Sequence, residues 1–340
     1  MQMFDGKTIL VTGGTGSFGK ELAKFILKKY KVKKLIIFSR DEFKQYEMSA
    51  QFKTPQYPIR YFIGDIRDRE RLYRAFNGVD YVIHAAAMKH VLAAEYNPLE
   101  VVKTNIIGAE NIVDAAIDNG VKKVIALSTD KAVSPLNLYG ATKLAMEKIF
   151  VAAGAYVGGK DTKFSIVRYG NVVGSRGSVV PLFHKLIRSG IKELPITDER
   201  MTRFWITMEE SVELVLEALD ESVGGEVFVP KIPSMKITDL AKAVCGDCKF
   251  KFSGVRPGEK IHETLISEDE ARTTIEYQPH GRDMYVIVPH MNFESKATAK
   301  YRGFKRLKED FTYRSDTNDA WLTIEQMRTY IEGLIKNNNI

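Results

Sequence analysis

Cysteine is nearly absent from this chain: Cys245 and Cys248, in Cys-Gly-Asp-Cys, are the only two among 340 residues. A zinc site needs two more ligands at suitable spacing, and His262 is the one nearby candidate. A thioredoxin-type pair should begin a helix after a strand, whereas this one follows the helical pattern Leu240 to Val244. The expectation is therefore two reduced thiols at a helix end in a cytoplasmic protein, with no metal. No run of 18 apolar residues occurs, which excludes a helical membrane span. The chain enters a strand pattern within its first few residues, which leaves no room for a signal peptide on this reading. No Lys/Arg run is long enough for nucleic acid, and the aromatics do not interleave with basic residues as a stacking platform requires. Internal repeats and low-complexity segments are also missing.

What is present is an ordinary globular composition, 44% hydrophobic and 27% charged, in a chain long enough for two lobes. The net charge of +7 suits an anionic small ligand without requiring one. The most informative stretch is residues 8–19. The apolar strand Ile9, Leu10, Val11 runs into a turn with Gly13, Gly16 and Gly19 three apart, and a helical pattern begins at Lys20. Such a turn brings backbone close to a pyrophosphate, and the helix aims its free N–H groups at that anion.

Strand and helix patterns then alternate. Strands are expected at Thr8–Thr12, Lys34–Ser39, Arg60–Gly64, Tyr81–Ala85, Val124–Ser128 and Phe164–Arg168, and later at Glu226–Val229. Helices are expected around Gly19–Lys29, Arg69–Phe76, Pro98–Asn119, Tyr139–Ala153 and Glu209–Asp220. Consecutive apolar positions such as Leu35 to Phe38 fit strands covered on both faces. The pattern predicts an α/β fold, a Rossmann-type doubly wound parallel sheet with a smaller, less regular C-terminal substrate lobe. Residues 1–172, with about 205–230, are assigned to the dinucleotide-binding domain, and 173–204 and 231–340 to the lobe. After about Asn171 prolines interrupt the rhythm, and one return to the sheet is expected, through Glu226–Val229. The last helix should start at a capping box, Thr323 with Gln326, and pack rather than fray.

The second strand ends in Ser39 and Arg40, followed by Asp41. Serine and arginine donate to a 2′-phosphate, so NADP is expected rather than NAD. Asp65 and Ile66 end the third strand, where adenine would lie; His84, within the fourth, reads as a satisfied core histidine. Tyr139 and Lys143 stand four apart, on one helix face, soon after the fifth strand. A nearby cation favours phenolate, so Tyr139 is placed to take a hydroxyl proton during hydride transfer, with Ser128 and Thr129 bonding the same hydroxyl.

Together with the glycine turn, these residues identify the chain as a member of the extended short-chain dehydrogenase/reductase family. Within that family Ser128-Thr129-Asp130-Lys131, with Tyr139 nine residues past Asp130, resembles the inverting UDP-N-acetylglucosamine 4,6-dehydratases of pseudaminic acid biosynthesis. The resemblance covers nearly the whole chain. It extends to Ala87–His90, Val102–Asn105, Arg168–Ser178, Ile196–Asp198, Met201–Ile206, Pro230–Met235 and Arg256–Lys260.

It implies NADP contacts from Thr15, Gly16, Ser17 and Phe18, and from Ser39, Arg40, Asp41 and Lys44. Further contacts would come from Asp65, Ile66, Ala85, Lys89, Thr104, Tyr139, Lys143 and Val172. UDP-N-acetylglucosamine would meet Lys89, Thr129, Asn171, Arg176, Thr197, Arg203, Arg256 and Glu259. The catalytic set would be Thr129, Asp130, Lys131, Tyr139 and Lys143. The implied reaction is a redox-neutral 4,6-dehydration with inversion at C5, giving UDP-2-acetamido-2,6-dideoxy-β-L-arabino-hex-4-ulose. Lys131 as base requires a neutral amine, and hence a lowered pKa. The alternatives are a UDP-N-acetylhexosamine epimerase, a C5-retaining dehydratase, or a non-enzymatic NADP-sensing regulator that keeps the fold. A cytoplasmic homo-oligomer, a dimer or larger up to a hexamer, is also implied, pairing through helices such as Pro98–Asn119 and Tyr139–Ala153.

Overall fold

The computed structural model describes residues 3–191, 193–289 and 296–336. Six strands open the chain: β1 (Thr8–Thr12), β2 (Lys34–Ser39), β3 (Ile59–Ile63), β4 (Tyr81–His84), β5 (Lys123–Leu127) and β6 (Lys163–Val167). All six pair in parallel, and β1 lies between β2 and β4. The four central residues of β2, Leu35 to Phe38, are buried together, because helices cover both faces of the sheet. The first helix, α1 (Ser17–Lys29), buries Gly19, Leu22, Ala23 and Ile26, one stripe at helical spacing, and packs beside helix Met208–Glu221. Helices Arg69–Phe76, Gly108–Asp118 and Leu138–Ala153 pack against one another in turn.

The large sheet has nine strands, ordered Thr274–Tyr277, Met284–Ile287, Val227–Pro230, β6, β5, β4, β1, β2, β3. The doubly wound parallel core is the fold expected. The single late return to the sheet is not what is found. Met284–Ile287 and Thr274–Tyr277 also join it, antiparallel, beyond Val227–Pro230. Four-residue strands beside Pro279 carry too few residues for a pattern, and their pairing is non-local. Pro98–Asn119 is one helical path with an internal change: α-helix at Pro98–Val102 and Gly108–Asp118, with a π-helical turn at Lys103–Ile107 between them.

A second core gathers Val180, Phe183, Leu194, Met235, Leu240, Met327 and Ile331. Strand Thr202–Ile206 stands between the two cores: Phe204 and Ile206 face the large one, and Trp205 faces the other. The last helix begins as expected, with Thr323 N–H donating to Gln326 (2.9 Å) and Gln326 N–H to Thr323 Oγ1 (3.2 Å). The expected free thiols are corrected: Cys245 and Cys248 form a disulfide. Gly246, at φ +68°, turns the chain back directly after the helix, and so brings the two sulfurs together. The thiol argument for a cytoplasmic protein falls with it. Among the described residues no helix is long and apolar enough to cross a membrane.

Candidate active site

The expected cofactor residues meet at the carboxyl ends of the parallel strands, where β1 hands over from β2 on one side to β4 on the other. Crevices at such a switch point bind ligands in open α/β sheets. Gly13 has φ +66°, and a Cβ there would meet the backbone of Ala86 at 2.8 Å. Only glycine allows both the conformation and the approach. Gly16 caps α1 with no side-chain hydrogen bond, leaving the first N–H groups of the helix for an anion. Ser17 Oγ accepts from Arg176 N–H (3.2 Å), joining this turn to the loop after Asn171. Gly19 is buried in α1, and Phe18 packs against the core beside it.

At the end of β2, Thr15 and Ser39 share a hydroxyl contact (2.8 Å). Asp41 accepts from Lys44 N–H (3.0 Å) and ion-pairs with its ammonium (2.5 Å), so this acid caps a helix. Arg40 is exposed and lies 3.6 Å from Asp65, which also holds Arg67. Ile66 lies against Gly108, Ala85 N–H donates to Thr12 (3.2 Å), and Thr104 Oγ1 donates to the Glu100 carbonyl (2.8 Å). His84 bonds Thr12 (2.8 Å) and is stacked on Phe150, and burial lowers its pKa to about 3. It is a neutral core residue.

The expected acid–base residues follow β5. Ser128 N–H donates to Val167 and Asp130 N–H to Tyr169, which fixes the turn Asp130–Ala132 against the end of β6. Asn137 caps helix Leu138–Ala153 by accepting from Gly140 N–H (2.8 Å). A Cβ on Gly140 would collide with the Lys131 carbonyl, so glycine lets the helix sit directly on the turn Asp130–Ala132. Asp130 is fully buried. Its Oδ1 accepts from Thr129 Oγ1 (2.9 Å) and Lys131 Nζ (2.9 Å), and Oδ2 has no hydrogen-bond partner among the described residues. Buried oxygens on Ser128, Asn171, Glu259 and Glu263 are likewise unpartnered. Orphans of this kind at one site fit a polar ligand.

Two of the electrostatic expectations are corrected. Burial works to lower the Lys131 pKa, but the carboxylates of Asp130 and Glu263 outweigh it and hold the amine above its ordinary value. Lys131 is thus an ammonium here, not the free amine expected. Burial also pushes Tyr139 up to about 12, opposed by the charge of Lys131 and a hydrogen bond shared with Thr129. The cation acting on Tyr139 is Lys131 rather than Lys143. Lys143 instead donates to the Leu127 carbonyl (2.6 Å), and burial lowers it to about 8.

The expected substrate residues divide by exposure. Lys89, Arg176 and Arg256 are exposed at the rim, Arg256 lying 3.9 Å from Glu259; Thr197 and Asn171 are half-buried. Asn171 and Val172 form a short strand beside Trp205 and Ile206. Arg203 is buried and turned inward, donating to the carbonyls of Thr202 (2.6 Å), Ile261 (3.0 Å) and Lys260 (2.9 Å). Asn137 Nδ2 donates to Gly258 (2.8 Å) and Lys260 Nζ to Val133 (2.5 Å), so the Arg256–Lys260 loop docks onto the segment that follows Asp130–Ala132. Asn105, in the π-helical turn, bonds both Met88 and Thr142 and ties the β4 loop to the Tyr139 helix. Sequence reasoning missed Glu263. It stands three residues past the quoted Arg256–Lys260 motif, and nothing in its spacing announces burial.

Residues 9–284 match the family described as polysaccharide biosynthesis protein. The chain belongs to that family. Against an inverting UDP-N-acetylglucosamine 4,6-dehydratase of Campylobacter jejuni, this polysaccharide biosynthesis protein is 55% identical, over 96% of its own length and 97% of the relative's. Against a UDP-glucose 4-epimerase of Rickettsia massiliae it is 42% identical, over 98% of this chain and 100% of the relative. The X-ray structure of Pen from Bacillus thuringiensis, 38% identical, superposes with a TM-score of 0.87 over 99% of each chain.

Proposed function

We propose that this protein is a hydro-lyase, an inverting UDP-N-acetylglucosamine 4,6-dehydratase that works on a tightly held nicotinamide dinucleotide. The observation that carries the reading is the pair of buried Asp130 and half-buried Lys131, 2.9 Å apart, beside Tyr139 at the mouth of a dinucleotide crevice. The Campylobacter relative at 55% identity supports the substrate and the stereochemistry. The glycine at position 13, the uncapped start of α1 and the small residues ending β4 fit a dinucleotide. NADP is the finer reading. Asp41 is spent on a helix cap and on the Lys44 ammonium, while Ser39 and Arg40 stand at the end of β2 to meet a 2′-phosphate, with Lys44 in the helix that follows.

The Gly13 turn and the start of α1 would hold a nicotinamide dinucleotide, which would supply a hydride acceptor for C4 and the hydride for C6. Tyr139 removes the O4 proton, and Thr129 holds the phenol in place. The ketone acidifies the C5 proton, which passes to Lys131 Nζ, while Asp130 protonates the departing C6 hydroxyl. These roles require a carboxylic acid and a free amine. One proton moved along the Asp130–Lys131 hydrogen bond converts the ion pair into that state with no change of net charge. Elimination then leaves an ammonium and a carboxylate, the charge state of the resting protein. Reprotonation of C5 from the opposite face gives the L-arabino ketosugar, and the exposed arginines Arg176 and Arg256 suit the diphosphate. The oligomer implied by the resemblance has a candidate surface at Tyr96 and Leu99, 89% and 70% exposed.

The Rickettsia relative favours a second reading, C4 epimerisation. Epimerisation needs no acid at C6 and no base at C5, and would leave Asp130 and Lys131 without a task. The test is incubation with UDP-N-acetylglucosamine and catalytic NADP+ in deuterated water, followed by NMR. The expected product is a 4-keto-6-deoxy sugar deuterated at C5 with the L-arabino configuration. A C4 epimer with protium at C5 would refute the dehydratase reading.

A further inference from the structure

We propose that Glu263 is a positioning residue of this reaction, a third member of the acid–base cluster that holds the Lys131 nitrogen in place and governs when it can accept a proton. The inference rests on the dehydratase reading above. Glu263 Oε1 lies 3.3 Å from Lys131 Nζ and 3.6 Å from Arg203 Nε, so Lys131 is bracketed by two carboxylates. Glu263 is 2% exposed, and its Oε2 has no hydrogen-bond partner among the described residues. A carboxylate kept for folding alone would be expected to bond through both oxygens. The oxygen that is engaged, Oε1, faces two cations, Lys131 and Arg203.

The backbone around it is fixed from two sides. Ser315 Oγ accepts from Glu263 N–H (2.9 Å), and Ser315 N–H donates to the Glu263 carbonyl (2.9 Å). Ser315 is itself buried and bonded to Thr202 Oγ1 (2.7 Å). Arg203, expected at the substrate, instead holds the carbonyls of Lys260 and Ile261 just ahead of Glu263.

The charged groups that face Lys131 are Asp130 from its own turn, Glu263 and Lys260 from the docked segment, Arg203 from its strand, and Lys89 from the β4 loop, with the phenol of Tyr139 alongside. When Asp130 carries the proton destined for the C6 hydroxyl, Glu263 is the one anion left beside Lys131. It then favours the ammonium that forms as the C5 proton arrives. Removing the Glu263 charge takes away one of the two carboxylates that raise Lys131, so the part of the activity profile set by Lys131 moves to lower pH.

The experiment compares kcat and KM for UDP-N-acetylglucosamine across pH in the wild type, Glu263→Gln and Glu263→Asp. Glu263→Gln is expected to shift that part of the bell by about one pH unit or more and to lower kcat about tenfold at its optimum, with KM little changed. Glu263→Asp keeps the charge but shortens the reach, so the bell stays in place while kcat falls. A folded Glu263→Gln variant with an unmoved profile overturns the inference, whatever its kcat. If Glu263→Gln does not fold, an unchanged kcat in Glu263→Asp overturns it. A wild type that makes no deoxyketosugar overturns the dehydratase reading and this inference with it; a normal wild type with an unmoved variant profile overturns this inference alone.

Discussion

Arg168 connects the chemistry to the fold. It lies at the end of β6, 1% exposed, and all five of its N–H groups are used. Nε and Nη2 donate to Glu147 (3.0 and 2.6 Å), Nη1 and Nη2 to Glu270 (3.0 and 2.8 Å), and Nη1 to the Leu265 carbonyl (2.9 Å). Glu147 is on the helix that carries Tyr139 and Lys143, and Glu270 belongs to a short helix that precedes strand Thr274–Tyr277. Arg168→Met would leave two carboxylates without their cation, which for buried groups costs about 3–5 kcal/mol. That corresponds to a fall in Tm of about 10 °C. The pH dependence follows from Glu270. Burial by itself would raise its pKa, but the charge and hydrogen bonds of Arg168 bring it below the ordinary value of 4.5. A depressed folded pKa contributes stability above the unfolded value and loses it as pH falls through the folded one. The gap between wild type and variant should therefore be widest near neutrality and narrow below pH 4.5. Urea unfolding at pH 7 and at pH 3.5 measures both, and kcat should fall as the Tyr139 helix shifts. A loss below about 1 kcal/mol at pH 7, or a gap that does not change with pH, would refute the argument.

Two more predictions concern the crevice. Arg40→Ala should raise the KM for NADP+ about tenfold, the worth of one charged hydrogen bond to a phosphate, and leave NAD+ nearly unaffected; equal effects on both would remove the 2′-phosphate role. Gly140→Val should displace the start of the Tyr139 helix from the Lys131 carbonyl and lower kcat about a hundredfold, with NADP+ binding measured by fluorescence nearly intact. Full turnover would show that the close contact there does not matter.

The parallel core was legible because its signals are local. Strands β1 and β2 have the expected bounds, and the other four shift by one residue, since a strand end is set by its neighbour's hydrogen bonds. Tyr139, Lys143, Asp130 and Lys131 could be picked out because they are close together in the chain. Their charge states could not. Lys131 is held as an ammonium by Asp130 beside it and by Glu263, 132 positions away in sequence, and a second carboxylate arriving from that distance leaves no trace in the spacing around Asp130. Arg203 shows the same limit: its residue type suits a diphosphate, yet its guanidinium is turned to three backbone carbonyls. The two antiparallel strands were hidden for a related reason, being four residues each and paired only through tertiary contacts.

Those two strands make the chain cross between the sheet and the second core several times, not once. The segments proposed to meet the sugar therefore alternate along the chain with strands of the sheet proposed to hold the cofactor. A cut-and-paste exchange of sugar specificity with a relative would have to rejoin every crossing in register. On the proposed reading, new specificity is far more accessible through single side chains at the rim, such as Arg176 and Arg256, than through exchange of a whole lobe.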